Sequence, residues 1–116
     1  MTSVPPAGWP DGVPAPSDEG FEERAVTWLL DFAPAEWRGS PIRSFPTALA
    51  WSVQQYLIGA QLAARGAYSR VRSTFGSEYP AATEPTLLAW EAHGAALAHT
   101  LRQVDMVRRA LGGPGA

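Results

Sequence analysis

The chain has 116 residues, with 11 Gly, 11 Pro, no Cys and a formal charge of −2, so it holds at most one modest domain and no disulfide framework, cysteine nucleophile or cysteine-ligated metal. It is 46% hydrophobic but only 17% charged, below the roughly 25% of an average soluble domain, and something other than water is expected to cover part of it. All nine basic residues are Arg, which excludes a Schiff-base lysine and a Walker-type phosphate loop.

The first 16 residues contain Pro5, Pro6, Pro10, Pro14 and Pro16, a composition that reads as an extended or disordered tail. With neither a basic n-region nor an apolar core, they are not read as a secretory signal, and the expected location is cytoplasmic. Trp9 stands out within them. Its simplest reading is packing on its own domain, the alternative being a contact with a partner.

A single helical domain is expected over 17–112, with a flexible tail over 113–116. The first helix is predicted to start near Ser17 or Asp18, with acids in its first turn facing the positive end of the helix dipole. Phe21, Ala25, Trp28, Leu29 and Phe32 fall on one helical face, and the helix should stop before Pro34. The segment from Pro34 to Pro46 reads as a corner of two short turns, the second opened by Ser40 and Pro41.

A long second helix is predicted from Pro46 to Phe75, ending before Gly76, with Leu49, Val53, Tyr56, Ala60, Ala63 and Ala67 as a heptad seam. A third helix is predicted over about 84–111, capped by Thr83, with Leu87, Trp90, Gly94, Leu97, Leu101, Val104, Val107 and Leu111 on one stripe. The short connection makes the pair an antiparallel hairpin. The fold class is all-α: three main helices, the hairpin flanked by the N-terminal helix, with a four-helix core on dimerisation.

Charges come in blocks: acids dominate 17–37, Arg38, Arg43, Arg65, Arg70 and Arg72 follow without an acid, and Glu78, Glu84 and Glu91 follow without a base. The hairpin is expected to set Arg65, Arg70 and Arg72 beside those three glutamates. Residues 44–64 and 92–101 carry no charge on any face, whereas a surface helix normally keeps a charged side. The amides Gln54, Gln55 and Gln61 argue against a membrane span in the first stretch.

These stretches predict association through the hairpin, by homodimerisation or against a partner protein. The expected interface residues are Trp51, Gln55, Tyr56, Gly59, Leu62, His93, Ala96 and His99. The favoured function is that of a small non-enzymatic interaction protein, with no catalytic residue, metal or cofactor expected. A second reading, a small-molecule binder or compact enzyme, would use a pocket of Trp51, Gln54, Trp90 and His99. A third, nucleic-acid regulation, would rest on Arg65, Tyr68 and Arg72, against the slightly acidic balance of the chain. His93 and His99 lie about 240° apart around a helix and do not form a chelating pair. Arg102, Asp105, Arg108 and Arg109 read as a solvated surface of ion pairs.

Overall fold

A computed structural model describes residues 4–112; the tail expected over 113–116 lies outside the described residues. The elements in chain order are α1 (Phe21–Leu30), two 3-10 turns (Ala35–Gly39 and Pro41–Ser44), α2 (Pro46–Phe75) and α3 (Pro80–Leu111). The described residues form no strand. The fold is the expected one: α2 and α3 pack as an antiparallel hairpin with α1 against one half of it.

The bounds of α2 follow from its punctuation. Pro46 sits at the first helical position, where its missing N–H costs nothing, and Gly76 donates its N–H to the Arg72 carbonyl at the other end. The third helix begins earlier than the sequence suggests. Pro80, not Pro85, takes its first turn, Tyr79 is the N-cap, and Thr83 lies inside the helix with its hydroxyl buried. Pro85 is therefore internal and forfeits the bond to the Ala81 carbonyl. The first helix is shorter at both ends than expected. Gly20, in the left-handed region at φ 79°, takes the N-cap place, and the chain tightens into 3-10 bonds over Asp31 to Ala33 ahead of Pro34. In the corner, the Ser40 hydroxyl accepts from the Ile42 N–H at 3.2 Å, which caps the second turn as its sequence indicates.

The seam of α2 is rotated from the predicted one. Ala50, Val53, Leu57, Ala64 and Val71 are the buried residues with heptad spacing, joined by Leu49, while Tyr56 and Ala63 are exposed. On α3 the predicted stripe is the one that faces inward, with Leu87, Leu97, Val104 and Val107 buried. Gln54 donates to Asp105 across the hairpin at 3.1 Å and sets the register. Each step up α2 from Gln54 is a step down α3 from Asp105, so Ala60 stands level with His99 and Ser69 with Trp90.

The Pro-rich segment is folded, not free. Trp9, Val13 and Ala15 are buried, the first two in the same core as Phe21, Leu29, Val53 and Val107. Turns closed by Trp9 N–H to Pro6 and Val13 N–H to Pro10 shape it. The indole N–H is shared between the Val13 carbonyl at 2.8 Å and the Pro14 carbonyl at 3.2 Å, so the one polar atom of a buried ring is satisfied. Gly8, with φ 82°, lies over α3, where its carbonyl accepts from Gln103 and Met106 Sδ packs against it.

The core is thus unevenly distributed. At the end holding Leu49, Val53, Val104 and Val107, the hairpin is covered by α1 and the N-terminal segment. Beyond Leu57 it continues for about 27 Å, at about 1.5 Å per residue, as two helices with only Ala64, Val71, Leu87 and Leu97 buried along them. This arm makes the molecule long: 59 × 31 × 23 Å, with a radius of gyration of 17.4 Å, against about 13 Å for a compact domain of this length.

Candidate association surface

At about 100° per residue, α2 carries a second heptad stripe beside the core seam. Trp51, Gln55, Ile58, Leu62 and Arg65 are spaced 4, 3, 4 and 3 and are all exposed, and Arg65, at the end of the stripe, also borders a cleft shared with α3. Trp51 is 54% exposed and Leu62 60%, large for side chains whose burial would each contribute about 2 kcal/mol or more. Until Arg65 the stripe has no charge.

The sequence-predicted interface residues divide between surfaces. Trp51, Gln55, Gly59 and Leu62 lie on the outward side of α2, and no atom approaches within 4 Å of where a Gly59 Cβ would stand. Tyr56 instead turns toward the corner, its ring 6.2 Å from that of Trp37. His93, Ala96 and His99 are exposed on α3, and His99 points away from α2 because it lies about 200° from Leu97 and Leu101. The His93 ring packs edge-on against Trp90 at 5.9 Å. One flat partner therefore does not reach all eight. Ile58, exposed between Gln55 and Leu62, belongs to the stripe and was not among the residues predicted from sequence; its heptad spacing from Trp51 and Arg65 is the signal that reveals it.

The four residues predicted to line a ligand pocket do not come together. Trp51 and the level of Trp90 are about 27 Å apart along the hairpin, being 18 residues apart in register. Gln54 is committed to Asp105, and His99 is exposed on α3. Two separate open clefts take their place. One of about 390 Å³ lies on the arm, between α2 and α3, and is lined by Gln61, Ala64, Arg65, Tyr68, Trp90, Glu91 and Gly94. The other, about 450 Å³, is a shallow depression at Thr47, Ala48, Trp51 and Ser52.

The charge on the arm is uncommitted. Ion pairs among the described residues include Arg38 with Asp31, and Arg108 and Arg109 with Asp105, whereas Arg65, Arg70 and Arg72 do not reach Glu78, Glu84 or Glu91 as the block pattern predicted. Arg65 and Glu91 share the walls of the Trp90 cleft, so the Arg65, Tyr68, Arg72 face carries an acid among its bases, which weakens it as a nucleic-acid surface.

Asp105 is a strongly organised charge. It accepts from Gln54, from Arg108 at 3.2 Å and from Arg109 at 2.9 Å. Partial burial pushes its carboxyl upward, but the Arg108 bond, the Arg109 charge and the Gln54 bond outweigh that and hold it below the ordinary carboxylate value. Arg108 is buried, not part of a solvated ion-pair surface as its spacing suggested. This cluster fastens α2 to α3 and presents no free base. No group of three or more His, Cys, Asp or Glu able to hold a metal ion occurs among the described residues, and no helix among them is long and apolar enough to cross a membrane.

No protein-family model matches the chain, and no curated protein or solved structure shows significant similarity to it.

Proposed function

We propose that this protein acts by association: a non-catalytic helical interaction protein whose working surface is the outward stripe of α2. The observation that carries this reading is the exposure of Trp51, Ile58 and Leu62 on a face with no charge from Ser44 to Ala64. An apolar strip of that length on a solvated helix marks an interaction site.

Surface area supports it. A compact monomer of 12.4 kDa has an accessible surface of about 6,100 Å², whereas this chain exposes 7316 Å². The excess of about 1,200 Å² compares with the roughly 800 Å² per partner of a stable interface. The catalytic alternative lacks a constellation: the Trp90 cleft holds Arg65 and Glu91 but neither histidine, and Asp105 is already engaged by Gln54, Arg108 and Arg109.

The test is native size in the cell of origin. A tagged chain in gentle extract is expected to migrate well above its monomer mass, and Leu62→Glu, at an exposed position that leaves the fold intact, is expected to return it to monomer size. A wild-type chain that runs as a monomer in fresh extract at endogenous level refutes association by any partner.

A further inference from the structure

The stripe and the Trp90 cleft are related by a register that points to the occupant. We propose that the partner is a second copy of this chain, docked antiparallel about a two-fold axis at Ile58, so that Trp51 of each copy enters the Trp90 cleft of the other. This inference rests on the association reading above and specifies its partner.

Trp51 and Arg65 stand seven residues on either side of Ile58, so all three point in nearly the same direction, with a drift of only about 20° per heptad. A two-fold axis through Ile58 carries the level of Trp51, about 10 Å to one side, onto the level of Arg65 in the other copy. That is the middle of the cleft bounded by Gln61, Tyr68 and Trp90. A half-exposed indole thus meets a cavity walled by two aromatic rings and bordered by a guanidinium, a setting that combines ring packing with a cation–π contact.

The same operation pairs the other groups along the stripe. Gln55 and Gln61 lie three residues on either side of Ile58, so the two amides of one copy stand level with those of the other. Six residues apart, Gln55 and Gln61 lie about 120° apart around α2 and so flank the apolar seam on its two edges. Glu91, level with Tyr68, comes within about 3 Å along the axis of the level of the partner's Arg109, which is exposed beyond its bond to Asp105. A self-complementary patch of this kind is what an isologous two-fold interface requires.

The chain has no cysteine, so single cysteines report the register cleanly. Full-length protein at about 50 µM, a concentration that populates dimers of micromolar affinity, is measured by light scattering and by oxidative cross-linking. Expected are a mass of about 25 kDa, twice the 12.4 kDa chain, efficient cross-linking of Ile58→Cys, and a Trp51→Cys to Arg65→Cys link formed only when the two variants are mixed. Trp51→Arg, at an exposed position, is expected to keep the helical circular dichroism of the wild type and weaken the dimer at least 100-fold. A dimeric mass in which Ile58→Cys does not cross-link while His99→Cys does overturns this register and leaves the association reading standing. A monomeric mass overturns the second copy as partner, and the size in extract then decides whether association by a different chain survives.

Discussion

Replacing Trp9 by Ala measures whether the Pro-rich segment is part of the fold. The indole is 8% exposed, packs 6.0 Å from the Phe21 ring and belongs to the core that includes Val107. A buried Trp removes up to about 250 Å² from water, which at about 25 cal/mol per Å² is close to 6 kcal/mol. Residual compactness of the unfolded chain lowers this by up to about 40%, so Trp9→Ala is expected to cost about 3–4 kcal/mol, in line with core truncations of this size. For a domain of this length that is a fall of about 12–16 °C in the melting midpoint. Trp9→Phe keeps a ring against Phe21 but removes the N–H shared by the Val13 and Pro14 carbonyls and part of the buried ring volume, an expected loss of about 2 kcal/mol. Urea titrations followed by far-ultraviolet circular dichroism at 222 nm, which does not depend on the lost fluorophore, give both values at a wavelength set by helix content alone. Trp9→Ala within about 0.5 kcal/mol of wild type, the range of neutral surface changes, would refute the burial of this segment in solution.

Asp105→Asn removes one charged partner of the buried Arg108 guanidinium and of Arg109, and is expected to destabilise by about 2 kcal/mol at neutral pH. Because the folded carboxyl titrates below its ordinary value, the Asp105 contribution is complete above about pH 5 and is lost as pH falls through the folded value; wild type and variant should therefore converge in urea midpoint in acid and diverge above it. Leu57→Ala should cost about 3 kcal/mol and Tyr56→Ala about 1 kcal/mol, an order that inverts if the seam runs through Tyr56. Gly20→Ala places a side chain at φ 79° and is expected to cost about 1 kcal/mol, read from the same titrations. Gly59→Ala is expected to raise helix stability by about 1 kcal/mol, since a Cβ there meets no atom of the chain.

The long elements were legible because their ends are written in punctuation. Pro46 and Gly76 bracket α2 where the sequence places them. The start of α3 was ambiguous for the same reason: Pro80 and Pro85 both suit a first turn, and only packing of the extra turn decides between them. Rotation of α2 was not legible, since Leu49, Ala50, Val53, Tyr56 and Leu57 offer two overlapping apolar seams. The choice between them depends on where α1 and α3 stand. The burial of Trp9, Val13 and Ala15 left no periodic trace, because turns at Pro6 and Pro10, not a helix or strand, bring them to the core. Of the candidate surface, the α2 half was readable from its missing charge, while the α3 histidines were assigned to the same face by composition alone. Helical rotation separates them.

The seat of the N-terminal segment has a consequence for how the chain is made. Gly8 and Trp9 leave the ribosome about 95 residues ahead of the groups they rest on, Gln103, Met106 and Val107. The hairpin can close on local contacts as soon as α3 is out, a fast step for helices joined by a short turn. Docking of the segment joins groups 95 residues apart and has to wait until α3 is made. Until then Trp9, Val13 and the apolar sides of α1 and α2 are uncovered together, and the nascent chain shows more apolar surface than the finished protein does.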